Sequence, residues 1–171
     1  MNGLNDKKVI LDTCTLQYLD DKDLVSQMLN VLAEFHQDNL SISEYAIYEL
    51  LRGANKIIES KRRKVLTQFK RHKIDTIVLS TSALLATLYN ENGLGGKTFS
   101  DGDQILASTA ILTNSIILTA DGRDYPLPFF KEVKRWALEY TKTRKSPCIL
   151  YALEPDYNIL KIHYLIKSRI I

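Results

Sequence analysis

The chain has 171 residues, of which 45% are hydrophobic and 25% charged, and carries a formal net charge of +3. Those proportions suit one globular domain over residues 1–171 that buries roughly 70% of its unfolded surface. They exclude a membrane protein, because no run approaches the ~18 apolar residues of a span, and a disulfide scaffold or thiolate metal site, because Cys14 and Cys148 form no such pattern; with no apolar export segment at the start, a cytoplasmic protein is expected.

In chain order, "KVIL" (8–11) predicts a short buried strand that ends at Asp12. Leu24, Met28, Leu32 and Phe35 recur at helical intervals and predict a helix packed on a sheet. "NLSIS" (39–43) predicts a second strand. "EYAIYELLRG" (44–53) follows as a helix, with Ser41 and Glu44 as a capping box and Gly53 as its stop. A basic helix is expected over about 56–72. "IDTIVLS" (74–80) predicts a third strand, "TSALLATLYNE" (81–91) a helix, and "NGLGGKTFSDG" a glycine-rich loop. The apolar run "ILASTA" predicts a further buried helix, and "SIILT" (115–119) a fourth strand.

Strands and helices alternating in this way predict an α/β fold: a three-layer α/β/α sandwich with a mainly parallel central sheet. After about residue 126 the pattern changes. A helix over 129–143 is expected, then an extra strand pair from "CILYAL" and "ILKIHYLI" around the turn "EPDYN".

Charge is unevenly placed. Between Lys56 and Lys73 eight Lys/Arg residues face Glu59 alone, and from Lys131 to Lys145 six face Glu132 and Glu139. Each run is either a solvated helix face or an approach surface for a polyanion. Other motifs fail on spacing. A phosphate loop ending at Gly96 would need glycine at position 91, which is Glu91. An aspartyl phosphatase would need a carboxylate two residues after Asp12, where Cys14 stands. His36, His72 and His163 have no metal-ligand spacing, and Cys14, without a histidine motif to activate it, reads as a buried thiol.

The acids are more informative. Asp12 ends the first strand and Asp121 follows the fourth, so a parallel sheet brings both to one edge. Ligands of such sheets bind at that carboxyl edge. Asp103 opens the helix that feeds the fourth strand, and Glu49 lies on the helix after the second. Each alone could be a cap, turn or surface charge. Unpaired carboxylates about 5 Å apart repel by roughly 3 kcal/mol per pair at an effective dielectric near 20, which a divalent cation would offset. An oxygen-only set suits Mg2+ or Mn2+, and such an ion supports in-line displacement at phosphorus.

In "VILDTCTL", "SEYAIYELLRG", "SDGDQILASTA" and "ILTADGRDY" the chain resembles the PIN domain, the fold of many small metal-dependent ribonucleases. The resemblance spans about residues 8–125. It implies a Mg2+ or Mn2+ site made by Asp12, Glu49, Asp103 and Asp121, and endonucleolytic cleavage of RNA that leaves 5′-phosphate ends. It further implies accessory roles for Thr13 and Thr119, and for Asp124. Asp101 competes with Asp103 for the ligand role, the other serving as helix cap or loop acid. Lys61, Arg62, Arg63 and Lys64 are expected to face RNA, while Arg52 and Arg123 either touch the scissile phosphate or pair with nearby acids. The biological expectation is the toxin half of a VapBC-type toxin–antitoxin pair, with an antitoxin partner and a homodimer. The alternatives are an RNA-processing or defence nuclease and a PIN-like module that binds RNA or protein without cleaving.

Overall fold

A computed structural model describes residues 4–94, 99–140 and 146–161. The strands are β1 (Lys8–Leu11), β2 (Leu40–Ser43), β3 (Lys70–His72), β4 (Ser115–Thr119), β5 (Phe130–Leu138) and β6 (Cys148–Pro155). The helices are α1 (Thr13–Tyr18), α2 (Val25–Leu32), α3 (Glu44–Leu51), α4 (Lys56–Leu66), α5 (Thr76–Glu91) and α6 (Asp101–Thr113). The strands form one six-stranded sheet in the order β3-β2-β1-β4-β6-β5. Its first four strands run parallel, and β6 and β5 are added antiparallel.

Alternation along the central strands divides the core into two layers, as expected for a sheet covered on both faces. Val9 and Leu11 of β1 with Ile116 and Leu118 of β4 pack against Leu16, Met28, Leu32 and Leu50 from α1, α2 and α3. Ile10 and Ile117 point the other way, against Leu85, Leu88 and Tyr89 of α5 and Leu106 and Ala110 of α6. The α/β/α sandwich is therefore as the sequence predicts.

Four local expectations are corrected. The run 74–80 is not a strand, because Asp75 caps α5 by accepting Val78 N at 2.9 Å. Val78, Ser82, Leu85, Leu88 and Tyr89 are buried at helical spacing, while Ile77 and Leu79 of the same apolar run face solvent. The third strand instead comes from the basic "KRH" of β3, so α4 ends at Leu66 and not near residue 72. Ser41 is no cap: its hydroxyl donates to Val9 O across the sheet at 2.7 Å, and Ser43 caps α3. Gly53, with φ of 76°, does sit just past that helix, in a conformation that costs a glycine little.

The fourth correction concerns 129–143, where β5 replaces the expected helix. Lys134 and Trp136 alternate onto the α2 side, donating to Glu34 at 2.5 Å and 2.9 Å, while Arg135 and Ala137 are exposed. The extra strand pair therefore exists, but it is β5 with β6. Residues 157–161 are helical and the rest of "ILKIHYLI", with His163, lies outside the described residues. So does the centre of the glycine-rich loop, 95–98.

Candidate active site

The carboxyl ends of β1 and β4 are adjacent, and Asp12 N donates to Leu118 O at 3.1 Å to continue their ladder. Beside them lies an open cleft of about 380 Å3 lined by the acids Asp12, Glu49, Asp103, Asp121 and Asp124. Thr13, Cys14, Gln17 and Arg52 complete its wall.

Asp12 is the best-held of these acids, 9% exposed at the point where β1 turns into α1. Its Oδ1 accepts from Thr13 N at 2.6 Å, and its Oδ2 from the Thr119 hydroxyl at 2.6 Å and the Tyr125 hydroxyl at 3.4 Å. Burial pushes its pKa up; bonds from Thr119 and Cys14 oppose the shift, and the charge of Asp103 adds to it. Thr119 is fully buried and serves two acids, since its oxygen also accepts from Asp121 N at 3.0 Å. Across the cleft, the Thr13 hydroxyl donates to Glu49 Oε2 at 2.7 Å, which ties α1 to α3.

The start of α6 separates the two aspartates of "SDGD" in position. Ser100 is the N-cap and Asp103 its capping-box partner, so the helix-cap role expected of Asp101 is corrected. Asp103 closes the capping box: its Oδ2 accepts from Ser100 N at 3.1 Å and from Ser100 Oγ at 2.7 Å, while Asp103 N donates to Ser100 Oγ at 3.1 Å. Asp103 lines the cleft. Asp101 is exposed and is not among the lining residues. Between them, buried Gly102 lets α3 lie against the mouth of α6. A Cβ there would come 2.5 Å from Tyr45 Cε1 and 3.3 Å from Glu49 Oε1.

Electrostatics bind these positions into one site. Burial first, then the charges of Asp103, Asp121 and Asp12, raise Asp124 to about 6. Cys14, at the rim, is pushed up to about 12 by burial and by Asp12, so it is a neutral thiol there and no nucleophile. The acids surround the cleft without closing on its centre: among the described residues, no three His, Cys, Asp or Glu side chains stand together as a ready metal group. The chemistry of the donor set nevertheless fits a hard divalent cation, being oxygen-only and mutually repelling.

The two arginines differ. Arg123 pairs with Asp121, Nε to Oδ1 at 3.2 Å, whereas Arg52 lines the cleft and makes no salt bridge among the described residues. On α4, Arg62 is turned inward, bonded to Asp20 at 2.7 Å and to the Leu50 carbonyl. Arg63 pairs with Glu59 at 2.6 Å, and Lys61 and Lys64 are exposed. Gln17, Gly102 and Tyr125 had no sequence signal beyond their neighbourhood to the acidic motifs.

Fold and site together define an α/β domain with an acidic cleft at the carboxyl edge of its parallel strands. A family model for the PIN domain matches residues 9–133, and the chain belongs to that family. No curated protein sequence matches. Among solved structures, a toxin–antitoxin complex from Klebsiella pneumoniae is similar at 22% identity and a TM-score of 0.58, covering 70% of this chain and 92% of that one. VapBC2 from Rickettsia felis, bound to a promoter DNA fragment, is similar at 22% identity and a TM-score of 0.57, covering 68% and 90%. FitAcB from Neisseria gonorrhoeae shares 17% identity at a TM-score of 0.59, covering 68% and 90%. These similarities show the same fold. No helix of the described residues is long and apolar enough to cross a membrane.

Proposed function

We propose that this protein is a divalent-metal-dependent endoribonuclease that leaves 5′-phosphate ends, and that it works as the toxin of a VapBC-type pair. The observation that carries the reading is the convergence of Asp12, Glu49, Asp103, Asp121 and Asp124 on one cleft, with Arg52 at its edge. Asp12, Glu49, Asp103 and Asp121 would hold Mg2+ or Mn2+. Once bound, such an ion supplies a water of lowered pKa and stabilises the charge that develops at phosphorus.

The chain's own residues do the positioning. Thr119 and Thr13 N fix both oxygens of Asp12, so that its carboxylate keeps one orientation in the cleft wall. The Thr13 hydroxyl holds one oxygen of Glu49, Oε2. Arg52, which lies 5.9 Å from the Tyr48 ring centroid and makes no salt bridge among the described residues, offers its charge to a phosphate oxygen. Lys61 and Lys64 supply sequence-independent attraction for the RNA backbone through counterion release.

The toxin reading is supported by similarity to structures that contain toxin–antitoxin complexes. An antitoxin protein is then the expected partner, and the homodimer belongs to the same reading. Purified protein is expected to cut single-stranded RNA with Mg2+ or Mn2+, to stop with chelator, and to lose cleavage in Asp12→Asn and Asp103→Asn. Equal cleavage in EDTA would overturn the metal mechanism. Expression toxicity relieved by a co-encoded small protein tests the toxin role, and light scattering reads the dimer.

A further inference from the structure

A second cavity, of about 330 Å3, lies between the Gly122–Asp124 turn and the β5–β6 hairpin, and it shares Asp121 with the acidic cleft. Tyr125, Leu127, Phe130, Tyr151 and Leu153 give it apolar walls, and its charged groups are Asp121, Arg123 and Glu132. Part of it comes from β6, which lies wholly beyond the residues that the family model matches.

Leu127 stands 74% exposed in the cavity wall. Three features set the cavity apart from a packing gap. Tyr151 is held edge and face: the turn backbone at Gly122 lies so close that a Cβ would be 3.3 Å from the ring, and the Arg135 guanidinium sits 5.6 Å from its centroid. Arg135 in turn fixes Glu132 through two bonds of 2.6 Å, so the acceptor in the wall is oriented. Tyr125 joins the two sites, with its ring in the cavity wall and its hydroxyl reaching Asp12 Oδ2 at 3.4 Å.

A flat group with apolar faces and a polar edge matches these walls, and a chain carrying phosphates matches Arg123, which is exposed at the junction with its guanidinium on Asp121. A nucleobase has that chemistry. Resting on the ribonuclease reading above, we propose that this cavity holds one base of a single-stranded RNA substrate, next to the phosphodiester presented to the acids. The hairpin beyond the family's matched region would thus set base preference at one position beside the cut. Arg123 steadies the adjoining phosphate, and Glu132 accepts from the amino edge of the base.

The test uses short oligoribonucleotides with a single abasic position moved along the strand, binding measured by fluorescence anisotropy to Asp103→Asn protein with Mg2+. One abasic position is expected to weaken binding by about tenfold, the scale of one stacked base. In proteins that also carry Leu127→Glu or Tyr151→Leu the same substitution should make no difference. Because Leu127 is exposed, that variant tests the site without disturbing the core. A uniform response along the strand, or an unchanged response in both variants, overturns the proposal and leaves the cavity to a partner's apolar side chain. The two readings fail separately: no cleavage by native protein, with a position-specific base effect retained, removes the nuclease and keeps the base site. In native protein that cleaves, a randomised RNA library should show a base bias beside the cut that Leu127→Glu flattens.

Discussion

At the scale of single residues, the site depends on groups that carry no charge. Gly102 lets Tyr45 and Glu49 of α3 approach the mouth of α6, so Gly102→Ala forces a ring to move. It is expected to lower stability by roughly 1–3 kcal/mol, the cost of overpacking. Combining it with Tyr45→Leu should recover part of that loss; strict additivity in urea unfolding would argue against the contact. Thr119→Val keeps the shape but removes the 2.6 Å bond to a buried carboxylate. A loss of about 10–100-fold in Mn2+ affinity or activity is expected, read by calorimetry and initial rates on protein whose circular dichroism is unchanged. The acidic motifs made Asp12, Glu49, Asp103 and Asp121 legible as candidates. Gly102 and Tyr125 were not, because their roles consist of contacts with residues far away in the chain. The choice of Asp103 over Asp101 as a cleft-lining acid also needed the helix phase that Ser100 sets.

At the scale of elements, caps and alternation decided what apolar composition left open. The β-branched run at 76–78 resembles a strand, yet the Asp75 cap and the helical spacing of buried residues through Tyr89 make it the first turn of α5. Asp75→Ala is therefore expected to cost about 1 kcal/mol, measured as a lowered urea midpoint with unchanged slope. A change within error would place the cap's contribution elsewhere. In β5 the many charges conceal a period of two, which appears once Lys134 and Trp136 meet Glu34 on the α2 side. On α4, the tied Arg62 should matter for stability and the exposed Lys61 and Lys64 for RNA. Arg62→Ala should lower the melting temperature, whereas Lys61→Ala and Lys64→Ala should each reduce the salt-dependence slope of RNA binding by roughly 1. Equal slopes in native and lysine variants would remove α4 from the approach surface.

For the whole molecule, bringing several acids to one sheet edge has a thermodynamic signature. Asp12 and Asp124 both have raised pKa values in the fold, Asp124 at about 6. An acid raised on folding binds more protons folded than unfolded between its unfolded value, about 3.9, and its folded one, so its contribution to stability falls as pH rises through that window. In chelator, the stability of native protein minus that of Asp124→Asn should therefore decline from about pH 4 to pH 6 and then level off. Millimolar Mn2+ at neutral pH should raise the melting temperature of native protein, because an ion bound only by the folded state stabilises it. A flat difference across the window would remove the raised pKa of Asp124, which burial and then the neighbouring acids produce. The alternation of strands and helices and the order of the acidic motifs were determined by local sequence, since hydrophobic period and turn chemistry act over a few residues. Which run formed β3, how β5 and β6 extended the sheet, and that an apolar cavity came to adjoin the acids were decided only in the tertiary structure. Those outcomes turn on pairing between distant segments, where burial and hydrogen bonding across the fold outweigh local preference.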